Sequence, residues 1–303
     1  MLNRKYFGYL IAVITIVVYE FWYFGSDYIT GTNPNASAII PLLIVFFVSA
    51  VLAILMSIKQ EKRILNIDKR KYMWYPIFSG IFFALGYYIF YVVINSAGIP
   101  AASAFSTAEI VIFTLLLLLS SKDKSNMSFL LVGAVFIAFG MILESLKIEY
   151  ANVILNSKIL LLGIIIAILY GIATYFYYVS LEKIEKKMST ITIMFIMQFI
   201  VLGLITAVMF LSNNLILPNF NILYILIAVG IGLVLFFTEW LDATMMKVLN
   251  TFGEEAIATG YIISDMQLLP IIVYSIFAFP NTWYIYASGL ALIIIGIIFL
   301  DWV

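Results

Sequence analysis

The sequence predicts an all-α membrane protein of ten transmembrane helices, arranged as two inverted five-helix repeats with both termini in the cytoplasm. Three observations predict it. Of 303 residues, 65% are hydrophobic and only 11% charged, against about a quarter charged in ordinary soluble domains. Apolar runs of about 20 residues, the length needed to cross the hydrocarbon core, recur along the whole chain. The basic residues fall almost entirely into alternate connections between those runs.

The elements follow in order. The first span, 8–25, comes after Arg4 and Lys5 and carries Glu20 near its end. No small-residue cleavage site follows, so it is expected to be retained rather than removed as a signal peptide. Gly31-Thr32-Asn33-Pro34 breaks the chain before the second span, 38–58. Lys59, Lys62, Arg63, Lys69, Arg70 and Lys71 then form a solvated loop suited to anionic lipid. The third span, 74–95, ends at Ala97-Gly98-Ile99-Pro100, a helix-breaking sequence. The fourth, 100–120, is followed by Lys122 and Lys124. Lys147 and Lys158 separate the fifth and sixth spans, 128–146 and 158–180, and Lys183, Lys186 and Lys187 follow the sixth. The seventh, 190–212, stops at Ser212-Asn213-Asn214, and the eighth, 222–245, precedes Lys247. The ninth, 254–278, closes at Phe279-Pro280-Asn281 before the tenth, 284–302.

Backbone polar groups in lipid must be bonded within the segment, so runs of this length form helices. All of the 16 basic residues except Lys147 and Lys158 lie on one side of this topology. The positive-inside rule makes that side cytoplasmic and the chain a multi-pass protein of the cell membrane.

The halves 1–150 and 151–303 repeat one another. At an offset of 155, Gly8 lies over Gly163, Ile11 over Ile166 and Ala12 over Ala167. The same offset brings Phe21-Trp22-Tyr23 over Phe176-Tyr177-Tyr178 and Asn95-x-x-Gly98 over Asn250-x-x-Gly253. At 156, Glu109 falls on Asp265, and Gly133 with Gly140 falls on Gly289 with Gly296. Five spans is an odd number, so the second half enters the membrane from the opposite face, as in many secondary transporters.

With no cysteine and no histidine, the chain lacks the residues for disulfides, thiol nucleophiles, imidazole catalysis and zinc sites. It holds no Gly-Lys-Ser/Thr phosphate loop and no Gly-x-Gly-Asp motif. An enzyme is therefore not expected, nor is a cofactor or a metal. Sixteen basic and 16 acidic residues balance; the expected partners are a small-molecule substrate and the bilayer, not nucleic acid.

Polar residues inside spans are the functional candidates, because an ionisable group near the bilayer centre costs about 2.5–3.5 kcal/mol on insertion scales. Glu109 and Asp265 lie half-way along their spans. Either suits a proton carrier or a partner for a cationic group, or else an acid hydrogen-bonded to a neighbouring helix for packing. Glu239 and Asp242 share a face one turn apart, with Trp240 between them, at a cavity mouth or in the solvated interface. Gln198 either lines a pathway or joins two helices. Among the clustered aromatics, Tyr87, Tyr91 and Tyr175 are candidates to face a cavity, where rings stack on planar substrates or attract cations. Trp74, Trp283 and Trp302 fit an interfacial belt. Gly98, Pro100 and Gly253 are candidate hinges, and Gly133, Gly140, Gly289 and Gly296 suit close helix packing.

These residues resemble the drug/metabolite transporter superfamily in its EamA-like branch, over nearly the whole chain. The most specific stretch is Ala101 to Leu143. Glu109 takes the family's acidic position, Asp123 stands where a helix-end Glu is usual, and Gly133 and Gly140 match its glycine-bearing helix, as do Gly289 and Gly296 in the second half. Ile110 and Met266 replace the Pro expected after the acid, with Pro270 four residues beyond Met266, and Phe279 replaces the second helix-end acid. The resemblance implies two inverted five-helix repeats and ATP-independent transport. The expected activity is secondary active export of an amino acid or related metabolite by alternating access, with protons as a candidate coupling ion. Sugar or nucleotide-sugar transport is the alternative within the superfamily, and a non-transporting scaffold or sensor the alternative outside it.

Overall fold

A computed structural model describes residues 2–32, 39–60, 72–121, 124–145, 157–184, 189–211, 217–218, 220–266, 269 and 283–301. Among the described residues every regular element is a helix: α1 (Leu2–Thr32), α2 (Ile39–Gln60), α3 (Trp74–Ala97), α4 (Ile99–Thr107), α5 (Glu109–Ser120), α6 (Lys124–Ser145), α7 (Ser157–Ile184), α8 (Thr190–Leu211), α9 (Ile222–Asn250), α10 (Glu254–Ser264) and α11 (Trp283–Asp301). Eight helical segments among them are long and apolar enough to cross a membrane.

The surface agrees with a lipid solvent. Phe7, Leu10, Phe47, Phe139, Phe210, Leu211 and Ile222 are all more than half exposed, spread over five helices. Apolar exposure on that scale marks a face meant for another apolar medium. The interior instead holds hydroxyls and carboxyls, including Ser49, Ser79, Thr114, Thr192, Glu109 and Asp265.

Two expected spans are broken near their middles. The fourth is two helices, α4 and α5, meeting at Ala108. Before the break, the hydroxyls of Ser106 and Thr107 both donate to the Ser103 carbonyl, at 2.8 and 3.0 Å. Such bonds compete with the backbone ladder and bend helices. In the ninth, α10 ends at Ser264, whose hydroxyl donates to the Tyr261 carbonyl at 2.9 Å. Asp265 follows in a turn conformation (φ −89°, ψ −1°); most of the remainder of that expected span lies outside the described residues.

Both half-helices also start alike. Gly98 (φ 82°, ψ 167°) precedes α4 and Gly253 (φ 102°, ψ 170°) precedes α10. Positive φ with ψ near 170° is open essentially to glycine alone. Pro100 falls in the first turn of α4, where its missing N–H costs nothing.

The main contacts of α1, α2, α7 and α8 keep their order when the halves are exchanged. α1 lies against α9 and α10 as α7 lies against α3 and α4, and α2 lies against α9 as α8 lies against α3. α2 packs on α8, and α6 on α11. The last pair approaches through the four glycines singled out in the sequence. A Cβ on Gly133 would lie 2.9 Å from the Gly296 carbonyl oxygen, and one on Gly140 would lie 2.6 Å from that of Gly289. Backbones this close leave no room for a side chain.

Candidate functional site

A cavity lies between the halves, and its lining includes the buried carboxyls of Glu109, Asp242 and Asp265. From the first half, Tyr19, Trp22, Phe83, Tyr87, Phe90, Ser106 and Glu109 line it. The second half supplies the carboxyls of Glu239, Asp242 and Asp265, the hydroxyls of Tyr170, Thr174, Tyr177 and Tyr261, and the apolar side chains of Met197, Leu235 and Met246.

Helical periodicity explains how each helix presents several of these groups at once. Positions 83, 87 and 90 of α3 recur on one face, as do 235, 239, 242 and 246 of α9. The sequence offsets relate the two linings to within one residue. At an offset of 155, Tyr19 corresponds to Thr174, Trp22 to Tyr177, Tyr87 to Asp242 and Ser106 to Tyr261. At 156, Phe83 corresponds to Glu239, Phe90 to Met246 and Glu109 to Asp265. At the offset of 155, four of the seven first-half lining positions have a second-half counterpart that also lines the cavity, and the other three do so one residue further on, at 156.

The positions correspond, but the chemistry does not. α3 contributes three rings where α9 contributes two carboxyls and a thioether. The ring wall is continuous. Phe83 and Tyr87 stack at 5.9 Å, Tyr87 meets Tyr170 edge-on at 5.2 Å, and Trp22 tilts onto Phe90 at 5.3 Å.

The carboxyls are held by hydroxyl and amide donors. Tyr261 donates its hydroxyl to Oε1 of Glu109, joining α10 to α5 across the halves. That leaves the Tyr261 oxygen to accept from Thr174 of α7, 3.1 Å away. Tyr19 of α1 donates to Asp242 of α9 at 3.4 Å, a second link between halves. Gln198 of α8 donates through Nε2 to Glu239 of α9. Glu109 is 7% exposed, Asp242 8% and Asp265 4%. Oε2 of Glu109 is buried and takes no hydrogen bond from any described residue. No lining residue is basic.

Of the sequence candidates, Glu109, Asp265, Glu239 and Tyr87 meet in this cavity. Gln198 is fully buried behind the wall, its amide steadying Glu239. Trp240 is 37% exposed and turned outward, because one residue along a helix rotates the side chain about 100° from Glu239. Tyr91 packs edge-on against Phe90, and Tyr175 against Phe176, both outside the lining. Gly98 and Gly253 sit at the helix starts described above. Trp74 is exposed at the start of α3; the side chain of Trp283, and Trp302 altogether, lie outside the described residues. Asp242, weighed with Glu239 from the sequence, is a lining residue, and Tyr19, Trp22, Tyr170, Thr174, Tyr177 and Tyr261 join it. The offset of 155, applied to Tyr87, lands on Asp242.

Among the described residues, no three carboxyls stand close enough together to hold one metal ion. No family model matches the chain, and no curated protein matches it. Solved structures do match. One, identified only as a crystal structure of a protein, superposes with a TM-score of 0.65 over 98% of this chain and 97% of its own, at 12% sequence identity. At that identity the likeness is one of fold, end to end.

Proposed function

We propose that the chain is a secondary active transporter of the EamA-like kind, carrying a small metabolite across the cell membrane by alternating access between two inverted five-helix repeats. The observation that carries this reading is the lining itself, drawn from corresponding positions in both halves. Inverted repeats work by exchanging conformations around one fixed site. A site built from matched positions keeps its walls when the halves swap roles. The main helix contacts that keep their order on exchange and the paired glycine starts of α4 and α10 support the same reading.

Within the superfamily, the lining disfavours nucleotide sugars. A diphosphate would sit against four carboxyls with no basic side chain beside it, and like charges in a site of low dielectric cost several kcal/mol. Metabolites bearing an amino group suit it better, with protons as the exchanged ion. The test is flux into proteoliposomes from a panel of amino acids, amines and sugars, with and without a proton gradient. The expected result is uptake of at least one amino-bearing compound, driven by the gradient and reduced at least about tenfold in Glu109→Gln. No flux of any compound, from protein that stays monodisperse, overturns the reading. A cellular phenotype that survives Asp265→Asn together with intact binding to a partner protein would favour the scaffold instead.

A further inference from the structure

We infer that the cavity selects protonated organic amines with an aromatic or apolar body, and rejects the corresponding amino acids. The inference deepens the transport reading and rests on it for treating the cavity as a substrate site. Its basis is the asymmetric chemistry on symmetric positions. One part of the lining is aromatic, from Trp22, Phe83, Tyr87, Phe90 and Tyr170, and the same lining carries the carboxyls of Glu239, Asp242, Glu109 and Asp265. Ring faces attract cations and cover apolar bodies at once. A molecule with a positive head and a flat or greasy remainder satisfies both.

Two details narrow the head group. Glu109 is more than nine-tenths buried, its Oε1 bound by Tyr261 and its Oε2 without a donor among the described residues. Buried carboxylate oxygens are rarely left so, and an ammonium N–H from the ligand supplies the missing donor. A quaternary ammonium has no N–H to give. Because no three carboxyls converge on a point among the described residues, the negative charge is spread over a surface, which matches a molecular cation better than a metal ion. An amino acid carries the same ammonium but adds a carboxylate, for which the lining offers no basic partner. Its rejection follows from an unpaired charge rather than from size.

The test is isothermal titration calorimetry on the purified wild-type protein with a ligand set that changes one group at a time. The set is phenethylamine, its trimethylammonium analogue, phenylalanine, 2-phenylethanol and 3-phenylpropanoate. Phenethylamine is expected to bind, the quaternary analogue less tightly, and phenylalanine and 2-phenylethanol at least about tenfold more weakly; 3-phenylpropanoate is expected not to bind. Glu109→Gln should weaken phenethylamine at least about tenfold, and Tyr87→Leu should weaken it while leaving its preference over phenylalanine intact. The ligand series on unaltered protein decides the matter even if a variant misfolds. Phenylalanine binding as tightly as phenethylamine, or no phenethylamine heat at millimolar concentration, overturns the inference. Phenethylamine binding without phenethylamine flux sinks transport and upholds the selectivity; phenylalanine flux with phenethylamine inert does the reverse.

Discussion

At the scale of single residues, the chamber depends on donors that hold its carboxyls in place. Tyr261 is the clearest, since one hydroxyl donates to Glu109 and accepts from Thr174. Tyr261→Phe keeps the ring and its 4.6 Å contact with Phe113 while removing both bonds. Leaving a buried acceptor unsatisfied costs about 1–3 kcal/mol, so the variant should unfold at a lower temperature in detergent; an unchanged transition would mean that the link between halves carries no weight. Glu109 and Asp265 were legible in the sequence because an acid inside an apolar run has no inexpensive explanation. Trp240 and Tyr175 illustrate the opposite case. Composition marks a polar or aromatic cluster, but only the helix phase tells which member faces inward, and a shift of one residue turns outward-facing Trp240 into cavity-facing Glu239. Tyrosines are the hardest to sort, because their amphipathic rings fit belt, core and cavity equally well.

At the scale of elements, the spans were legible as apolar runs, whereas their interruptions were not. The break at Ala108 rests on hydroxyl-to-carbonyl bonds from Ser106 and Thr107, and those residues hardly alter the hydropathy of the window. Gly98 and Gly253 were legible as breakers, but their backbone conformation shows why glycine is needed. Gly98→Ala and Gly253→Ala should each cost about 1–3 kcal/mol from positive φ alone, even though nothing crowds the Cβ site at Gly253. Gly140→Ala tests a different force, the close approach of α6 to α11. Its new methyl would lie 2.6 Å from the Gly289 carbonyl oxygen, and overpacking of this kind costs about 1–3 kcal/mol. Gly203, exposed in the middle of α8 with open space around it, is the control. Gly203→Ala should stabilise by about 0.5–1 kcal/mol through helix propensity. Thermal unfolding of the four variants in one detergent separates the mechanisms: equal losses at Gly140 and Gly203 would remove the packing argument, and no loss at Gly98 or Gly253 would remove the conformational one.

At the scale of the whole molecule, the sidedness of the two halves governs whether one chamber can open to both faces. Main helix contacts that keep their order when the halves are exchanged fit a pseudo-two-fold axis, but a parallel duplication has such an axis too, perpendicular to the membrane instead of within it. What separates the two is the face on which corresponding positions emerge. Lys59 and Asn214 correspond at the offset of 155, and each lies within two residues of the end of a membrane span in the sequence reading. In an inverted repeat they lie on opposite sides; in a parallel one they share a side. The chain contains no cysteine, so one introduced at either position is the single thiol available to an impermeant maleimide. Asn214→Cys should label in intact cells, and Lys59→Cys only after the membrane is opened, in keeping with the basic loop that follows it. If both label from the same face, corresponding positions of the two halves no longer exchange roles across the bilayer. The matched lining would then describe a symmetric cage rather than a gate, while the apolar helices would still require lipid around them.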